Sequence, residues 1–460
     1  MSEQGLKLAQ EKMVAAGVNP QAIDVFSHYY RQVEEGVTGF IAEDSIEPLE
    51  HPDLLGDVTV SEEDARSALG ATVMIKLNGG LGTSMGMDRA KSLLPVRGGD
   101  SFLDLIVNQV RSARQTYGAK LPLLFMNSFR TQADTLRALS GYSDLEVDGL
   151  GLDFLQSQEP RLRADDLTPV EWPADPSLEW CPPGHGDLYP ALQSSGILDR
   201  LLALGYRYAS VSNSDNLGAA PDATIAGWFA ASGAPYAAEI CRRTAADRKG
   251  GHLAIRKSDH RLILRDTAQT AKDEMHFFTD EHRHPFFHTN NLWFNLEVLS
   301  RTLKERNGVL GLPLIKNEKT VDPADPSTPA VIQMECAMGA AVEVFEGATA
   351  IGVGRERFLP VKTTNDLLLL RSDVYDLAPD GRLLKVTDPA PLVDLDSTYY
   401  KTIAAFEQRF PAGPPSLMQA RSLTIEGDWT FGRDVTVAGV VRLADEGQPQ
   451  VVTGGTVLRG

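Results

Sequence analysis

A glycine-rich loop directly after an apolar strand constrains this chain more than any other stretch. Residues 72–77 form the apolar run, and four of the residues 79–86 are glycines. Glycine lacks a Cβ atom, so such a loop can adopt positive φ angles and bring its backbone amides close to a ligand. Converging amides form a concave site for anions, above all phosphate oxygens, and Lys91 adds a positive charge beyond the loop. The pattern predicts a phosphate-binding loop and not an incidental turn.

Two common phosphate-binding motifs do not fit this loop. A P-loop requires Gly-Lys-Ser/Thr at its end, whereas Ala90 precedes Lys91 and Ser92 here. A dinucleotide fingerprint requires G-x-G-x-x-G, and Met85 stands where its third glycine belongs. The loop therefore belongs to another class of phosphate site.

The order of apolar runs downstream of residue 70 predicts an α/β fold. Short apolar strands alternate with amphipathic helices such as residues 102–117, which is typical of a mostly parallel, mixed sheet with helices on both faces. Ligands of such sheets bind beyond the carboxyl ends of the strands, where the glycine-rich loop and residues 213–216 would both lie. We expect a Rossmann-like central domain at residues 71–380, preceded by N-terminal helices and an acidic, irregular connector within residues 1–70.

The last segment, residues 381–460, has a different pattern. Apolar residues recur there every six positions, as in the series Leu423, Trp429 and Val435. This period indicates the stacked coils of a β-helix with these side chains inside, and an ordinary β-hairpin is the alternative because only two or three coils are visible. The last coil of a short β-helix needs a cap or a partner. We therefore expect a homo-oligomer formed through this end, with a self-capped monomer as the alternative.

Charge and cysteine content narrow the classes of partner and the compartment. The 460 residues include 62 acidic and 44 basic side chains, a net charge of -18, which disfavours nucleic acid and anionic membranes as partners. A phosphate site in this chain must concentrate positive charge locally, with a metal ion as a further source. Three distant cysteines without a C-x-x-C pair indicate reduced thiols. With no signal-peptide pattern and no membrane-spanning stretch, we expect a cytoplasmic protein.

Five motifs resemble, in their order along the chain, those of the eukaryotic-type UTP–glucose-1-phosphate uridylyltransferases. They are L-N-G-G-L-G-T-S-M-G at 77–86 with K-S at 91–92, P-P-G-H-G-D-L-Y at 182–189, N-S-D-N at 213–216, H-T-N-N-L-W at 288–293 and R-F-L-P-V-K-T-T at 357–364. The resemblance runs from about residue 70 to the end and more loosely over the N-terminal helices. It implies a nucleotidyltransferase domain followed by a left-handed β-helix.

The resemblance also implies a reaction, in which the phosphate of glucose 1-phosphate attacks the α-phosphorus of UTP and pyrophosphate leaves. The nucleophile is already an anion, so catalysis is mainly positioning and charge neutralisation. Lys91 would stabilise the leaving pyrophosphate, Lys362 would draw the two phosphates together, and Asp215 would ligate Mg2+, a hard ion. Nucleotide contacts are implied for Leu77, Asn78, Gly79, Gly80, Gly82, Thr83, Lys91, Gln156, Gly184 and Asp215.

Contacts with the sugar phosphate are implied for a second set of residues. Asparagine offers both a donor and an acceptor to sugar hydroxyls, and Gln156 offers the same pair to the edge of uracil. Glu159 departs from the family pattern Q-S-x-Y-P-R, in which an aromatic residue occupies its place. The histidines at 276, 282, 284 and 288 match no standard zinc spacing, so we interpret them as a solvated loop. The sugar-side residues are His185, Asn213, Asn290, Asn291, Glu335 and Lys362.

Three other functions are alternatives to this one. A UDP-N-acetylhexosamine pyrophosphorylase usually carries A-G-G-Q-G-T-R-L-G, and Asn78 with residues 81–85 argues against it. A UDP-sugar pyrophosphorylase of broader substrate range is harder to exclude. A non-catalytic nucleotide-sugar sensor would not require Lys91, Asp215 and Lys362 together, so their joint presence favours an enzyme.

Overall fold

The computed structural model describes residues 2–244 and 247–460. Its helices are α1 (Ser2–Ala15), α2 (Pro20–Glu34), α3 (Glu62–Gly70), α4 (Phe102–Tyr117), α5 (Gln132–Leu139), α6 (Leu188–Ser194), α7 (Ile197–Ala203), α8 (Ala223–Ser232), α9 (Met275–Phe278), α10 (Leu296–Glu305), α11 (Thr364–Arg371), α12 (Ser397–Tyr400) and α13 (Ile403–Arg409). Its strands are β1 (Ile46–Pro48), β2 (Asp53–Leu54), β3 (Thr72–Asn78), β4 (Pro95–Arg97), β5 (Asp100–Ser101), β6 (Leu123–Asn127), β7 (Asp153–Leu155), β8 (Glu159–Pro160), β9 (Leu162–Arg163), β10 (Trp180–Cys181), β11 (Tyr208–Asn213), β12 (Tyr236–Arg242), β13 (His252–Arg256), β14 (Leu262–Arg265), β15 (Phe286–Asn295), β16 (Leu314–Thr320), β17 (Ala330–Cys336), β18 (Thr349–Val353), β19 (Tyr375–Leu377), β20 (Leu383–Lys385), β21 (Leu392–Leu395), β22 (Ser416–Ile425), β23 (Trp429–Phe431), β24 (Thr436–Leu443), β25 (Gln450–Val452) and β26 (Val457–Arg459).

An eight-stranded sheet forms the centre of the fold, in the order β2-β18-β12-β15-β11-β3-β6-β7. Neighbouring strands are parallel except at β15, which runs antiparallel to both β11 and β12. Along β3, Met74 packs into the hydrophobic cluster on one face and Ile75 into the cluster on the other, because side chains alternate across a strand. Helix α4 covers the first face and α10 the second. The predicted mixed, mostly parallel α/β sheet is confirmed.

The N-terminal helices are confirmed, but the connector differs from the expectation. Asn19 caps α2, because its Oδ1 accepts a hydrogen bond of 2.9 Å from the backbone N–H of Gln21. Val33 of the same helix is buried in the second hydrophobic cluster. The irregular connector expected before residue 70 is wrong, because this stretch contains α3 and two strands that pair with β13 and β18. Strands of two or three residues are too short to show the alternation by which a strand is recognised in sequence.

The C-terminal strands pair in parallel, in one sheet of order β21-β22-β24-β26 and a second sheet of β23 and β25. This direction rules out the β-hairpin alternative, whose strands are antiparallel. Leu423 lies opposite Val441, three six-residue periods further along the chain. The period therefore marks successive sides of one coil, not successive coils as expected. Leu423 and Val435 are buried, as predicted, whereas Trp429 is only half-buried.

The C-terminal strands and the central sheet share one hydrophobic cluster. Leu423, Ile425 and Val437 belong to the same cluster as Met74 of β3 and Leu105 of α4. The domain boundary near residue 380 stays a prediction, and the core runs across it.

The three cysteines, Cys181, Cys241 and Cys336, are free and buried, as expected for reduced thiols. Across the described ranges, no helix combines the length and the apolar character that crossing a membrane requires.

A buried cluster of charges fastens the N-terminal connector to β14. Glu43 is 5% exposed and pairs with Arg265, which is 0% exposed. Arg283 pairs with the same carboxylate, and Nε2 of His284 lies 3.1 Å from it. The solvated loop expected for the histidines is therefore wrong at His284 and also at His288, both of which are buried. A carboxylate with three cationic or polar partners can be buried where an unpaired one cannot.

Glu43→Gln is expected to lower the free energy of unfolding by about 3 kcal/mol, because it removes a counter-charge of the fully buried Arg265. Urea unfolding measures the change. The matched control is Glu50→Gln, since Glu50 and its partner His51 are both exposed and a surface pair contributes about 0–1 kcal/mol. Equal unfolding free energies for the two variants would contradict the fastening role of Glu43.

Candidate active site

The glycine-rich loop leaves the carboxyl end of β3 and turns through a short 3-10 segment, Thr83–Met85. Gly82 has a φ of 68°, in the left-handed region that side chains with a Cβ atom rarely adopt. The backbone N–H of Lys91 donates to the carbonyl of Gly80 at 3.1 Å, so the chain returns to the loop. Gly80 and Thr83 are exposed, which leaves this part of the loop accessible to a ligand.

Lys91 joins the loop to the end of β11. Its Nζ lies 2.6 Å from Oδ2 of Asp215 and donates a second hydrogen bond to the carbonyl of Val361. The backbone N–H of Val361 in turn donates to the carbonyl of Asp215 at 3.3 Å. The two charged side chains are only 17% and 19% exposed. Three segments that are distant in sequence therefore meet at one sheltered ion pair.

Lys362 directly follows Val361 and precedes α11. Its backbone N–H donates to Oδ2 of Asp366 at 2.8 Å. Its side chain is exposed, and Nζ lies 6.0 Å from the centre of the Phe358 ring. The structure thus places a second, accessible ammonium on the residue next to the carbonyl that binds Lys91.

Gln156 lies against the glycine-rich loop from the other side. A Cβ atom added at Gly79 would lie 3.0 Å from Oε1 and 3.1 Å from Nε2 of Gln156, so any larger residue at 79 would have to displace this amide. The backbone N–H of Gln156 donates to the carbonyl of Asn127 at 2.8 Å, and Oγ of Ser128 donates to the carbonyl of Gly79 at 3.0 Å. A side-chain amide and the loop therefore form one corner of the cleft.

Gly184 and His185 lie against the end of β17. Gly184 has a φ of 79°, and a Cβ atom there would be 3.0 Å from Cβ of Glu335. Nδ1 of His185 accepts a hydrogen bond from the backbone N–H of Met338 at 2.9 Å. Burial lowers the pKa of His185 to about 4, so its imidazole is neutral at physiological pH. This favours a binding role over acid–base catalysis.

Asn290 is held at a bulge in β15. The register of β15 with β12 shifts between Ala238 and Ile240, and Asn290 has a φ of 60°. Its backbone N–H donates to Nδ1 of His288 at 3.0 Å. Bulges reorient side chains next to functional sites, and asparagine tolerates the left-handed region better than most residues. The bulge therefore gives Asn290 an orientation that a regular strand would not.

Two predicted contact residues are instead used inside the protein. Asn78 is 1% exposed, and its Nδ2 donates to Asn127 at 2.8 Å and to Thr135 at 2.9 Å. Asn291 is 2% exposed, and its Nδ2 donates to Glu239 at 3.1 Å. Their amide groups are satisfied by buried partners, so this geometry favours a supporting role over direct ligand contact. Leu77 is likewise buried, and Asn213 is half-buried.

Sequence reasoning missed a buried charge network beneath the site. Glu239 on β12 pairs with Arg357 through bonds of 3.0 and 2.7 Å, and the ammonium of Lys76 lies in the interior of the same region, with Lys76 1% exposed. The signal was a charged residue inside an apolar strand, as at Lys76 in residues 72–77. Such residues are rarely fully buried unless they are paired.

The donor set for a metal ion is small. Among residues 2–244 and 247–460, no three His, Cys, Asp or Glu side chains converge as metal ligands. Mg2+ is commonly bound through one or two carboxylates together with substrate phosphates and water. The half-buried carboxylate of Asp215 fits that mode of binding, and it does not fit a site built from protein ligands alone.

A family model and known relatives match most of the chain. The model of the family described as UTP–glucose-1-phosphate uridylyltransferase matches residues 23–438. The chain is 37% identical to the probable UTP–glucose-1-phosphate uridylyltransferase of Schizosaccharomyces pombe over 441 residues, covering 94% of this chain and 85% of the relative. It is 40% identical to the Saccharomyces cerevisiae UTP–glucose-1-phosphate uridylyltransferase, covering 85% and 78%.

Solved structures give the same family. A Trypanosoma brucei UDP-glucose phosphorylase is 43% identical, with a TM-score of 0.91 over 99% of this chain and 98% of that one. A Leishmania major UDP-glucose pyrophosphorylase mutant in complex with UDP-Glc is 40% identical, with a TM-score of 0.92 and the same coverage. The sequence resemblance is thereby confirmed, and the chain belongs to the UTP–glucose-1-phosphate uridylyltransferase family.

Proposed function

We propose that this protein forms UDP-glucose and pyrophosphate from UTP and glucose 1-phosphate. The observation that carries the proposal is the junction at which Lys91 binds both Asp215 and the carbonyl preceding Lys362. The glycine-rich loop lies beside this junction. The family and the UDP-Glc complex of the Leishmania major relative support the same reaction.

The reaction is a displacement at the α-phosphorus of UTP. A phosphate oxygen of glucose 1-phosphate forms the new O–P bond, and the bond between the α-phosphorus and the bridging oxygen breaks, so pyrophosphate carries away the electron pair. No side chain has to accept a proton, because the nucleophile is already an anion. The work of the protein is to align the phosphates and to neutralise developing charge. Lys91 stabilises the leaving group, and Lys362 holds the sugar phosphate and the α-phosphate together.

Backbone amides of Gly79, Gly80, Gly82 and Thr83 hold the nucleotide, and Gln156 binds the uracil edge. On the other side of the cleft, Gly184 contacts the nucleotide, and His185, Asn290 and Glu335 bind the sugar phosphate. Asn213 also binds the sugar phosphate, whereas Asn78 and Asn291 support the loop and strand ends, and Leu77 anchors the loop in the core. The close approach of Gln156 to Gly79 and the bulge at Asn290 are the observations that support this arrangement.

Asp215 is the residue that would hold Mg2+, with phosphate oxygens and water completing the shell. When bound, the ion would supply positive charge to the phosphates, which the net charge of -18 otherwise repels. Lys91 would remain beside the same carboxylate and keep it oriented.

We also infer the domain organisation of the chain and its compartment. Residues 1–70, 71–380 and 381–460 form the N-terminal, catalytic and C-terminal units, the last a left-handed β-helix. Parallel coils with three six-residue sides support that assignment. Cytoplasmic location rests on the three free thiols.

The base specificity of the site gives a direct test. We expect pyrophosphate release with UTP and glucose 1-phosphate to exceed release with ATP or GTP strongly, because a purine would clash with the corner formed by Gln156 and Gly79 and would leave buried polar groups unpaired. Comparable turnover with ATP would contradict this placement of the base.

A panel of sugar 1-phosphates in the same assay, with and without Mg2+, separates the alternative functions. A site selective for glucose turns over only glucose 1-phosphate at a high rate, whereas a broader UDP-sugar pyrophosphorylase also accepts galactose 1-phosphate. UTP binding without turnover in the presence of Mg2+ would instead identify a nucleotide-sugar sensor. Removal of Mg2+ by a chelator is expected to abolish turnover.

The charged residues of the site are tested by single substitutions. Lys91→Ala, Lys362→Ala and Asp215→Asn are each expected to lower kcat by on the order of 10²–10³, the usual effect of losing one preorganised electrostatic partner. Lys7→Ala is the matched control, because Lys7 is 75% exposed on α1. Full activity in Lys362→Ala would show that the sugar-phosphate site lies elsewhere.

We also propose that the C-terminal coils mediate a homo-oligomer. Leu392, Val451 and Val457 are 70%, 69% and 47% exposed, which is unusual for aliphatic residues on strands. Val451→Glu is expected to lower the mass measured by light scattering, whereas Val14→Glu, at a residue 65% exposed on α1, leaves it unchanged. A wild-type protein that is monomeric at micromolar concentration would refute this proposal.

A further inference from the structure

Lys76 is a buried lysine on the central strand that the proposed mechanism does not use. It is 1% exposed and lies on β3, three residues before Gly79, the first residue of the glycine-rich loop. Its Nζ donates to Oγ of Ser212 at 2.8 Å and to the carbonyl of Ala219 at 2.7 Å. Burial, with the nearby Arg357, lowers the pKa of this ammonium to about 7. A buried ammonium destabilises the fold unless its contacts compensate. The two groups to which Lys76 donates therefore indicate what this lysine does.

The two partners of Lys76 lie on either side of Asp215. Ser212 lies opposite Lys76 in the pairing of β3 with β11 and precedes Asp215 by three residues. Ala219 follows Asp215 by four residues. Within this segment, the N–H of Asn216 donates to the carbonyl of Asn213 at 3.2 Å. One ammonium therefore fixes both ends of the turn that presents Asp215.

The C-terminal end of the same turn is hydrogen-bonded to Arg357, in the segment that leads to Lys362. Nη1 of Arg357 donates to the carbonyl of Ala220 at 2.7 Å, the residue after the one that Lys76 binds. A Cβ atom added at Gly218 would lie 2.5 Å from the carbonyl oxygen of Glu356, so the two backbones are in close contact. Lys76 and Arg357 thus hold consecutive carbonyls, and the turn is fixed between β3 and the segment that leads to Lys362.

From this geometry we propose that Lys76 is a positioning residue for the reaction, which fixes the Ser212–Ala219 turn and thereby the carboxylate of Asp215. The inference rests on the proposed function and adds a residue that touches neither substrate. Lys76 acts through Asp215, so its contribution depends on that carboxylate being present. Misplacement of a catalytic group by about 1 Å can cost on the order of 10²-fold in rate.

The test is a double-substitution cycle measured by UDP-glucose formation. Lys76→Met removes both hydrogen bonds and keeps an unbranched side chain that is one atom shorter, and it is expected to lower kcat by about 10–10²-fold. In the Asp215→Asn background, the same change is expected to have little further effect, because residues that act as a unit are non-additive. Effects that multiply in full would overturn the inference, since they would show a contribution independent of Asp215.

Thr72→Val is the matched control for the loss of a buried polar contact on the same strand. Thr72 is 0% exposed, and its Oγ1 donates to the carbonyl of Ala68 at 2.8 Å, far from Asp215 along β3. We expect wild-type kcat in this variant. A loss equal to that of Lys76→Met would overturn the inference, because it would show that β3 tolerates no such change.

Ser212→Ala keeps the test decisive if Lys76→Met does not fold. It removes only one of the two contacts, and we expect a smaller loss of kcat that again disappears in the Asp215→Asn background. Unchanged kcat in Ser212→Ala would overturn the inference. A wild-type protein that forms no UDP-glucose refutes the proposed function and this inference together, whereas an active wild type with a fully multiplicative cycle refutes the inference alone.

Discussion

The buried ion pair between Arg357 and Glu239 is the interaction on which the site depends. Burial raises the pKa of the Glu239 carboxyl, but the charge of Arg357 holds this pKa below its ordinary value. The carbonyl of Arg357 also accepts hydrogen bonds from the amides of Asn216 and Asn291, at 3.2 and 3.1 Å. Charges in a poorly solvated interior have few alternative partners, so removing one side of such a pair is costly. The pair therefore fixes the relative positions of β12, the Asp215 turn and the segment leading to Lys362.

The positions of the basic side chains matter because the composition of the chain is acidic. A chain with a net charge of -18 repels polyphosphates at long range. Lys91 and Lys362 lie at the cleft, while Arg357 is buried in the interior. Lys91 is paired with Asp215 and Arg357 with Glu239, whereas the side chain of Lys362 is exposed. In the proposed function, this accessible positive charge offsets the long-range repulsion between an acidic protein and an anionic substrate.

The sequence predicted the parts of the site that depend on local chemistry. The glycine-rich loop, the strand before it and the position of Asp215 follow from residue types at short spacing, and the structure brings the loop, Asp215 and Lys91 together. The interior roles of Asn78 and Asn291 could not be predicted, because an asparagine in a motif looks the same whether its amide faces a ligand or a buried partner. The burial of His284 depends on Glu43, more than 200 residues away, and no local pattern reveals such a pairing.

The hydrophobic cluster shared by the C-terminal coils and the central sheet has a consequence for biosynthesis. Leu423 and Val452 complete a cluster that also contains Leu69 and Met74, residues that leave the ribosome near the start of synthesis. Contacts between residues so far apart in sequence form slowly, and the incomplete cluster exposes apolar surface until the coils have been made. The nascent chain therefore passes through a long period in which this cluster lacks the side chains that the coils contribute, and chaperones that bind exposed apolar segments would find their substrate there.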